Sequence, residues 1–351
     1  MTASTDERRS AVHNLIAAAR RVYEERERLV ADLMASTGLT RPGVILGFES
    51  LEHDATEPEL RELVVMTPTT DRVHVVLAAN VFVAPLRAIV LARAAAPRVT
   101  VRPSRRDPWL ARAIVETAKD PAIVVTADLD VDELPSGEVH VYGRDETIAA
   151  VRQRVRPGVV VRAHGTGMGA AFVSRAADCD QSARNLAADI VPFDQRGCLS
   201  PRVAMVEGDG GRARRFAAAL HTELTEFQSR IPRGALSRNE GHEAARWRDT
   251  VAFSAHIFEG RDHAVALAHD SVPPWIPPPG RHLFVVATQT IEQAAAWLAP
   301  VSAFVVTVGS DDPTRARGAF PAHVRVGLLG RMQHPPLDGP VDRRGVVGAG
   351  R

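Results

Sequence analysis

The chain of 351 residues contains two cysteines, two tyrosines and a single lysine, Lys119. Two cysteines, Cys179 and Cys198, cannot form the disulfide framework of a secreted scaffold, and no C-x-x-C or Cys/His cluster offers zinc its ligands. No metal site is expected, and a reducing, cytoplasmic setting is. Long apolar runs are missing too. Even "VHVVLAANVFVAPLRAIVLARAAA" (73–96) is broken by Asn80, Pro85, Arg87 and Arg93, short of the ~20 apolar residues a membrane helix needs. The opening "MTASTDERRSAVHNLIAAARRVYEERERLVADL" (1–33) reads as a charged amphipathic helix without the apolar core or cleavage site of a signal peptide. A net charge of +1 leaves no general electrostatic case for nucleic acid as a partner. The near-absence of lysine among the basic residues reflects GC-rich, bacterial coding, although arginine-rich phosphate pockets remain open.

What is present is an α/β alternation. "DRVHVVLAA" (71–79), "RVTVRP" (98–103), "AIVVTADL" (122–129), "EVHVYG" (138–143) and "VVVRAHG" (159–165) read as strands. Between them "APLRAIVLARAAA" (84–96), "DPWLARAIVETAKD" (107–120) and "DETIAAVRQRV" (145–155) read as helices. A second series follows. "DCDQSARNLAADIVPFDQRGC" (178–198) reads as a helix running into the second cysteine, "RVAMVEG" (202–208) as a strand and "GRARRFAAALHTELTEFQSRI" (211–231) as a long amphipathic helix. "SVPPWIPPPGRH" (271–282) reads as an extended surface connection, and "LFVVATQ" (283–289), "TIEQAAAWLAP" (290–300) and "AFVVTVG" (303–309) as another βαβ-like unit. The chain is long enough for two domains, each with its own core.

Three local features carry chemistry. In "DQRGCLSP" (194–201) Cys198 sits in a turn between a glycine and a Leu-Ser-Pro run. It is either an apolar filler or a nucleophile, with Arg196 as the positive neighbour that favours a thiolate and Gly197 allowing close substrate approach. Asn80, polar at the end of an apolar strand, is either a turn residue or an amide donor for an oxyanion. "RAHGTGMGAAFVS" (162–174) has G-x-G-x-G spacing and lies mid-chain, so it is a poor dinucleotide fingerprint. It reads as a crossing between subdomains or as backbone packed closely on a ligand.

Four stretches, in order over roughly residues 70 to 345, resemble one family. "NVFVAPLRAIVLARAAAPRVTVRPSRRDP" (80–108) is similar to the region of aldehyde dehydrogenase-fold enzymes where an Asn turn opens a helix and the next strand ends in a basic residue, Pro and Ser. "VYGRDETIAAVR" (141–152) resembles their phosphate-side turn, and "DQRGCLSP" falls where their catalytic cysteine stands. "GLLGRMQHPPLDG" (327–339) is similar to the C-terminal motif of the acyl-CoA reductase branch, the family of the long-chain acyl-CoA reductase of bacterial bioluminescence.

The resemblance implies an aldehyde dehydrogenase-like fold of two three-layer α/β domains with largely parallel sheets. Residues 1–165 would form an N-terminal helix and a nicotinamide-dinucleotide-binding domain, and 166–326 the catalytic cysteine domain. Residues 327–351 would return to the first domain or to an oligomer interface. It further implies Cys198 as nucleophile and Asn80 as oxyanion donor. Arg102 occupies the place of a ribose-binding lysine and, with Ser104, suits a 2′-phosphate, which favours NADP(H) with NAD(H) as the alternative. Gly143 and Arg144 open a helix toward the pyrophosphate, and Gly165 and Gly167 belong to the cofactor side. The general-base glutamate of the oxidative enzymes is missing: the corresponding segment reads "AHGTGMG". Its Glu-Ile-Phe-Gly-Pro motif is missing as well, since "HIFEG" (256–260) matches only by letters. Without that base the acyl-enzyme cannot readily be hydrolysed. His164 is either a proton shuttle or a structural histidine. The implied activity is reduction of an acyl-CoA or other acyl thioester to an aldehyde, by a homodimer or with a partner enzyme that supplies the acyl group. A same-fold reductase of an acyl phosphate or carrier-protein thioester, a non-catalytic cofactor-binding member, and a thiol hydrolase are the alternatives.

Overall fold

The computed structural model describes residues 4–51, 55–269 and 272–344. They form two compact units. The first takes the chain up to Thr37, then Ile45–Thr166 and Pro336–Val341; the second takes Gly38–Val44, Gly167–Pro335 and the residues from Asp342. The change of unit after the fifth strand thus falls between Thr166 and Gly167. The C-terminal 327–344 is divided between both units, and 345–351 lie outside the described residues.

The first unit begins with helices α1 (Thr5–Glu24), α2 (Glu27–Thr37), α3 (Arg41–Glu49) and α4 (Glu57–Met66). The single N-terminal helix read from the sequence is in fact two. Arg26 donates its N–H to the Tyr23 carbonyl and lays its guanidinium over the Tyr23 ring, so the chain leaves the helical ladder there. Ser4 starts α1 with a capping box closed by Glu7. Then come β1 (Val73–Val76), α5 (Ala84–Ala95), β2 (Val99–Arg102), α6 (Trp109–Ala118), β3 (Ile123–Val125), β4 (Glu138–Tyr142), α7 (Asp145–Arg154) and β5 (Val160–His164). The sheet order is β3-β2-β1-β4-β5, parallel throughout. Central β1 is buried along its whole length, as a strand covered on both faces must be. The strand read at 122–129 is only three residues long, because β3 is an edge with Val124 turned outward.

On one face of β4 and β5, Val139 and Val141 join Val76, Ile148 and Val151 in an apolar cluster with α7. The other face is polar. Glu138 accepts from Arg162 Nε (2.5 Å) and Nη2 (2.7 Å) and lies 3.0 Å from His140 Nε2. Burial pushes the Glu138 carboxyl up, but the bonds from His140 and Arg162 outweigh it and hold the group at about 2. His164 stacks on Tyr142 with ring centroids 4.3 Å apart.

The second unit contains β6 (Met168–Val173), α8 (Cys179–Ile190), β7 (Pro201–Glu207), α9 (Gly210–Arg230), α10 (Arg238–Val251), β8 (Ala255–Glu259) and β9 (Ala264–Ala268). It continues with β10 (His282–Thr288), α11 (Ile291–Leu298), β11 (Val305–Ser310), α12 (Pro313–Arg317) and β12 (Arg325–Leu328). The sheet order is β12-β11-β6-β7-β10-β9-β8, parallel except for the β8–β9 pair. Its core joins Phe172, Met205 and Phe284 with Trp247 of α10 and Ile291 and Leu298 of α11. The helix read over 178–198 stops at Ile190, since Pro192 cannot continue the hydrogen-bond ladder. The proline-rich segment carries no helix or strand from 272 to 280; its residue 271 lies outside the described residues. It is tied down rather than loose. Its carbonyls accept from Trp297 Nε1 at Val272 (2.6 Å), Trp247 Nε1 at Trp275 (3.1 Å) and Arg202 Nη1 at Pro277 (2.8 Å).

Candidate active site

In the first unit the strand order reverses between β1 and β4. In open α/β sheets, ligands bind at such a switch point, outside the carboxyl ends of the strands. Asn80 follows β1 there, and Gly143 and Arg144 follow β4; Arg102 closes β2 beside them. Asn80 is exposed between two fixed neighbours. The Ala79 carbonyl accepts from Arg106 Nη2 (3.0 Å), and Phe82 is buried edge-on against Phe48 at 5.1 Å. Ser104 accepts the Arg106 N–H (3.3 Å), so the turns after β1 and β2 are one bonded assembly. Arg105 is paired with Asp128 (2.9 Å), while Arg102 is partly buried at the strand end.

Gly143 donates its N–H to the His164 carbonyl (3.2 Å), and Arg144 is the exposed N-cap residue of α7 without a side-chain cap bond. The first turn of α7 holds Asp145 and Glu146. Two carboxylates there oppose the attraction of the helix end for a phosphate. Asp145 also accepts the Thr166 N–H (3.2 Å) and lies where a side chain on Gly165 would begin. Gly165 is therefore required by packing within the unit. The carboxyl end of β2, with Arg102 and Ser104, fits an anionic group better than the start of α7 does.

In the second unit Cys198 is partly buried in the turn between α8 and β7, and neither cysteine is disulfide-bonded. Ser200 donates to the Gly197 carbonyl (3.1 Å), closing the turn around it. Just upstream, Phe193, Asp194 and Gln195 all have left-handed φ, of 57°, 49° and 65°. Such residues without glycine cost about 1–3 kcal/mol each and persist only where their surroundings fix them. Here they are fixed by buried polar contacts. Asp194 Oδ1 accepts from Arg281 Nη2 (2.7 Å) and Nε (3.1 Å), and Oδ2 accepts the Gly234 N–H (2.9 Å). The Gln195 amide donates to the carbonyls of Pro201 (2.7 Å) and His282 (2.6 Å), and its oxygen accepts the His282 N–H (2.8 Å).

Arg196 is differently employed from what the sequence suggests. Its guanidinium is bonded to Glu240 at 2.8 and 3.3 Å. Burial pushes Glu240 up, yet the Arg196 bond and the Ser237 N–H hold it at about 2. A third brace reaches the turn from the motif after β12. Asp189, fully buried near the end of α8, accepts the N–H groups of Gly330 (2.6 Å) and Met332 (2.9 Å). Gln333 Nε2 donates to the Asp189 carbonyl (2.9 Å) and reaches Ser200 Oγ (3.4 Å). Burial pushes the Asp189 carboxyl up to about 7 in spite of the two N–H donors. Gly169 and Gly309 leave the space that the Met332 side chain fills.

Gly167 belongs to the second unit, beside Cys198. A Cβ added to it would lie 3.4 Å from Cys198 Cβ, 3.2 Å from Arg344 Nη2 and 2.5 Å from Val306 Cγ2. Sequence reasoning did not single out Asp189, Asp194, Gln195 or Arg281. Asp194 and Gln195 lie inside the quoted cysteine motif, and their position before Cys198 was the one available signal. Nothing in the sequence separates Arg281 from the other arginines.

A parallel sheet with a nucleotide-type switch point in one unit, and a braced cysteine turn in the other, define an aldehyde dehydrogenase-fold protein. Solved structures agree on the fold. An NAD-dependent benzaldehyde dehydrogenase from Corynebacterium glutamicum superposes with a TM-score of 0.69 at 16% identity, covering 93% of this chain and 83% of that one. An oxidoreductase from Marinobacter aquaeolei gives 0.70 at 12% identity, covering 98% and 85%. An NADP-dependent glyceraldehyde-3-phosphate dehydrogenase from Bacillus halodurans C-125 gives 0.67 at 14%, covering 93% and 79%. No curated protein sequence matches significantly. The family model of acyl-CoA reductase (LuxC) matches residues 54–333, and the chain belongs to that family.

Proposed function

We propose that this protein reduces an acyl thioester, an acyl-CoA, to the free aldehyde with NADPH through an acyl-enzyme on Cys198. The observation that carries the reading is the cysteine turn: three left-handed residues are held by buried partners so that Cys198 is presented in one geometry. Fixing a nucleophile in this way lowers the entropy that must be lost at the reacting centre.

The Cys198 thiolate attacks the thioester carbon, the carbon–sulfur bond to CoA breaks, and CoA leaves as a thiolate that takes up a proton. Asn80 and the backbone N–H of Cys198 hold the oxyanion in this scheme, each such donor contributing about 3 kcal/mol to transition-state stabilisation. A nicotinamide cofactor, when bound, supplies the hydride for the acyl carbon; Arg102 and Ser104 are the residues that would hold its 2′-phosphate. The resulting thiohemiacetal oxyanion collapses, its electron pair re-forming the carbonyl as the carbon–sulfur bond to Cys198 breaks, so that the aldehyde departs and Cys198 is left as the thiolate. The nicotinamide dependence named for two of the similar structures supports a cofactor of this class. Water is a poor competitor because the "AHGTGMG" segment lacks a glutamate, and the carboxylate packed on it, Asp145, is bonded to the Thr166 N–H. His164, stacked on Tyr142, is a structural residue in this scheme.

Intact-mass measurement after mixing with medium- and long-chain acyl-CoA tests the reading. An acyl adduct on the wild type, absent in Cys198→Ala and discharged as aldehyde by NADPH, is expected. No adduct with any thioester would overturn it and favour a non-catalytic member of the fold.

A further inference from the structure

A cysteine nucleophile needs a neighbouring positive charge or helix end to be a thiolate at neutral pH. The residue the sequence offers, Arg196, has its guanidinium bonded to Glu240 through Nε and Nη2. A second guanidinium, that of Arg344, approaches the turn at Gly167. The point where a Gly167 side chain would begin is 3.4 Å from Cys198 Cβ and 3.2 Å from Arg344 Nη2, so the arginine and the cysteine border the same small space. Val306 Cγ2, 2.5 Å from the same point, closes it, and only a glycine at 167 allows this packing. We infer that Arg344 is the positioning residue that sets the charge state of Cys198.

Arg344 is held in place twice. Nη1 donates to the Ala303 carbonyl (2.8 Å), while Nε (2.8 Å) and Nη2 (2.6 Å) bind the Asp342 carboxylate. Asp342 is buried and Arg344 mostly so, which keeps their fields from being fully screened by water. The pair therefore acts on the thiol with opposite signs. Arg344 favours the thiolate, and Asp342 tempers the effect. Because the Ala303 carbonyl holds the guanidinium independently, Asp342 can be neutralised without releasing Arg344.

This inference rests on the reading of Cys198 as a nucleophile, but its test does not need turnover. In a Cys179→Ser background, the rate of iodoacetamide alkylation of Cys198 is followed from pH 5 to 10 by mass spectrometry, with melting curves for every variant. Arg344→Gln is expected to slow alkylation at pH 7 at least about fivefold and move its midpoint to higher pH, and Arg344→Lys to restore most of the rate. Asp342→Asn is expected to speed it. A merely structural pair would move both variants in the same direction, and that result, or no change in either, overturns the inference. Opposite shifts without an acyl adduct on Cys198 would leave the activated thiol standing and remove the thioester reading.

Discussion

Asp194 and Arg281 form an ion pair at 2.7 Å in which both side chains are 2% exposed, and both residues have left-handed φ. Eighty-seven positions separate them, and the pair fixes the backbone that leads into Cys198. Removing one partner of a buried pair leaves the other charge desolvated. Arg281→Ala is therefore expected to cost about 3–5 kcal/mol in a urea melt. It should also abolish the Cys198 adduct with acyl-CoA under conditions where the protein is still folded.

Gln195 bears on the same turn without charge. Its amide satisfies two buried carbonyls and one N–H, and the residue is fully buried. Gln195→Ala leaves these groups unpaired, at about 1–3 kcal/mol for each unsatisfied group. A lowered melting temperature and a slower acylation of Cys198 are expected from stopped-flow release of CoA. An unchanged acylation rate in a destabilised variant would show that the brace serves the fold alone.

Gly167→Ala places a methyl group 2.5 Å from Val306 Cγ2 and within contact of Cys198. Overpacking of this kind costs about 1–3 kcal/mol. The expected outcome is a modest fall in stability with a much larger fall in the alkylation rate of Cys198, because the added carbon lies 3.4 Å from Cys198 Cβ and displaces the side chains around it.

Arg102→Ala is expected to raise the KM for NADPH by about tenfold or more, the effect of losing a charge-assisted bond to phosphate, and to leave that for NADH nearly unchanged. Steady-state kinetics with both cofactors measures it. Equal effects on the two would remove the 2′-phosphate from the role of Arg102.

Stability should respond to acid through Glu138. Its carboxyl is held at about 2 in the folded protein against 4.5 for a free glutamate, so the unfolded chain binds the proton more readily. The stabilisation, about 3 kcal/mol, is complete above pH 5 and is lost as pH falls from 4.5 toward 2. Asp189 has the opposite sign. Raised to about 7 from 3.8, it favours the folded state at low pH and withdraws up to about 1.4 kcal/mol per unit as pH rises through that window. Urea melts of Glu138→Gln and Asp189→Ala between pH 3 and 8 should each lose the corresponding slope.

Much of the scaffold was legible because buried parallel strands are rich in apolar residues, and β7, β10 and β11 are largely so, while β4 alternates Glu138 and His140 with Val139 and Val141. The helices outside the strand–helix alternation were less so: α3, α4 and α10 have no strand pattern to frame them, and the two-residue break after Glu24 depends on how one arginine folds back. Cys198 and Asn80 were legible as residue types in motifs. Their supports were not, since Arg281 and Asp189 act through backbone groups far away in sequence, and a hydrogen bond to a backbone N–H leaves no residue type to recognise. Arg196 shows the same limit: adjacency in sequence suggested the thiol, and its bond to Glu240 was not legible.

The dependence of the cysteine turn on Arg281 and His282 also orders events during synthesis. A ribosome must add more than eighty residues beyond Cys198 before Arg281, the charged partner of Asp194, and His282, the second backbone partner of Gln195, exist. Until then the Pro201 carbonyl and the Gly234 N–H are present, but the left-handed residues lack the Arg281 and His282 contacts, and the thiol sits in a partly braced loop of the nascent chain. A fragment ending before Arg281 would carry the nucleophile but not its geometry.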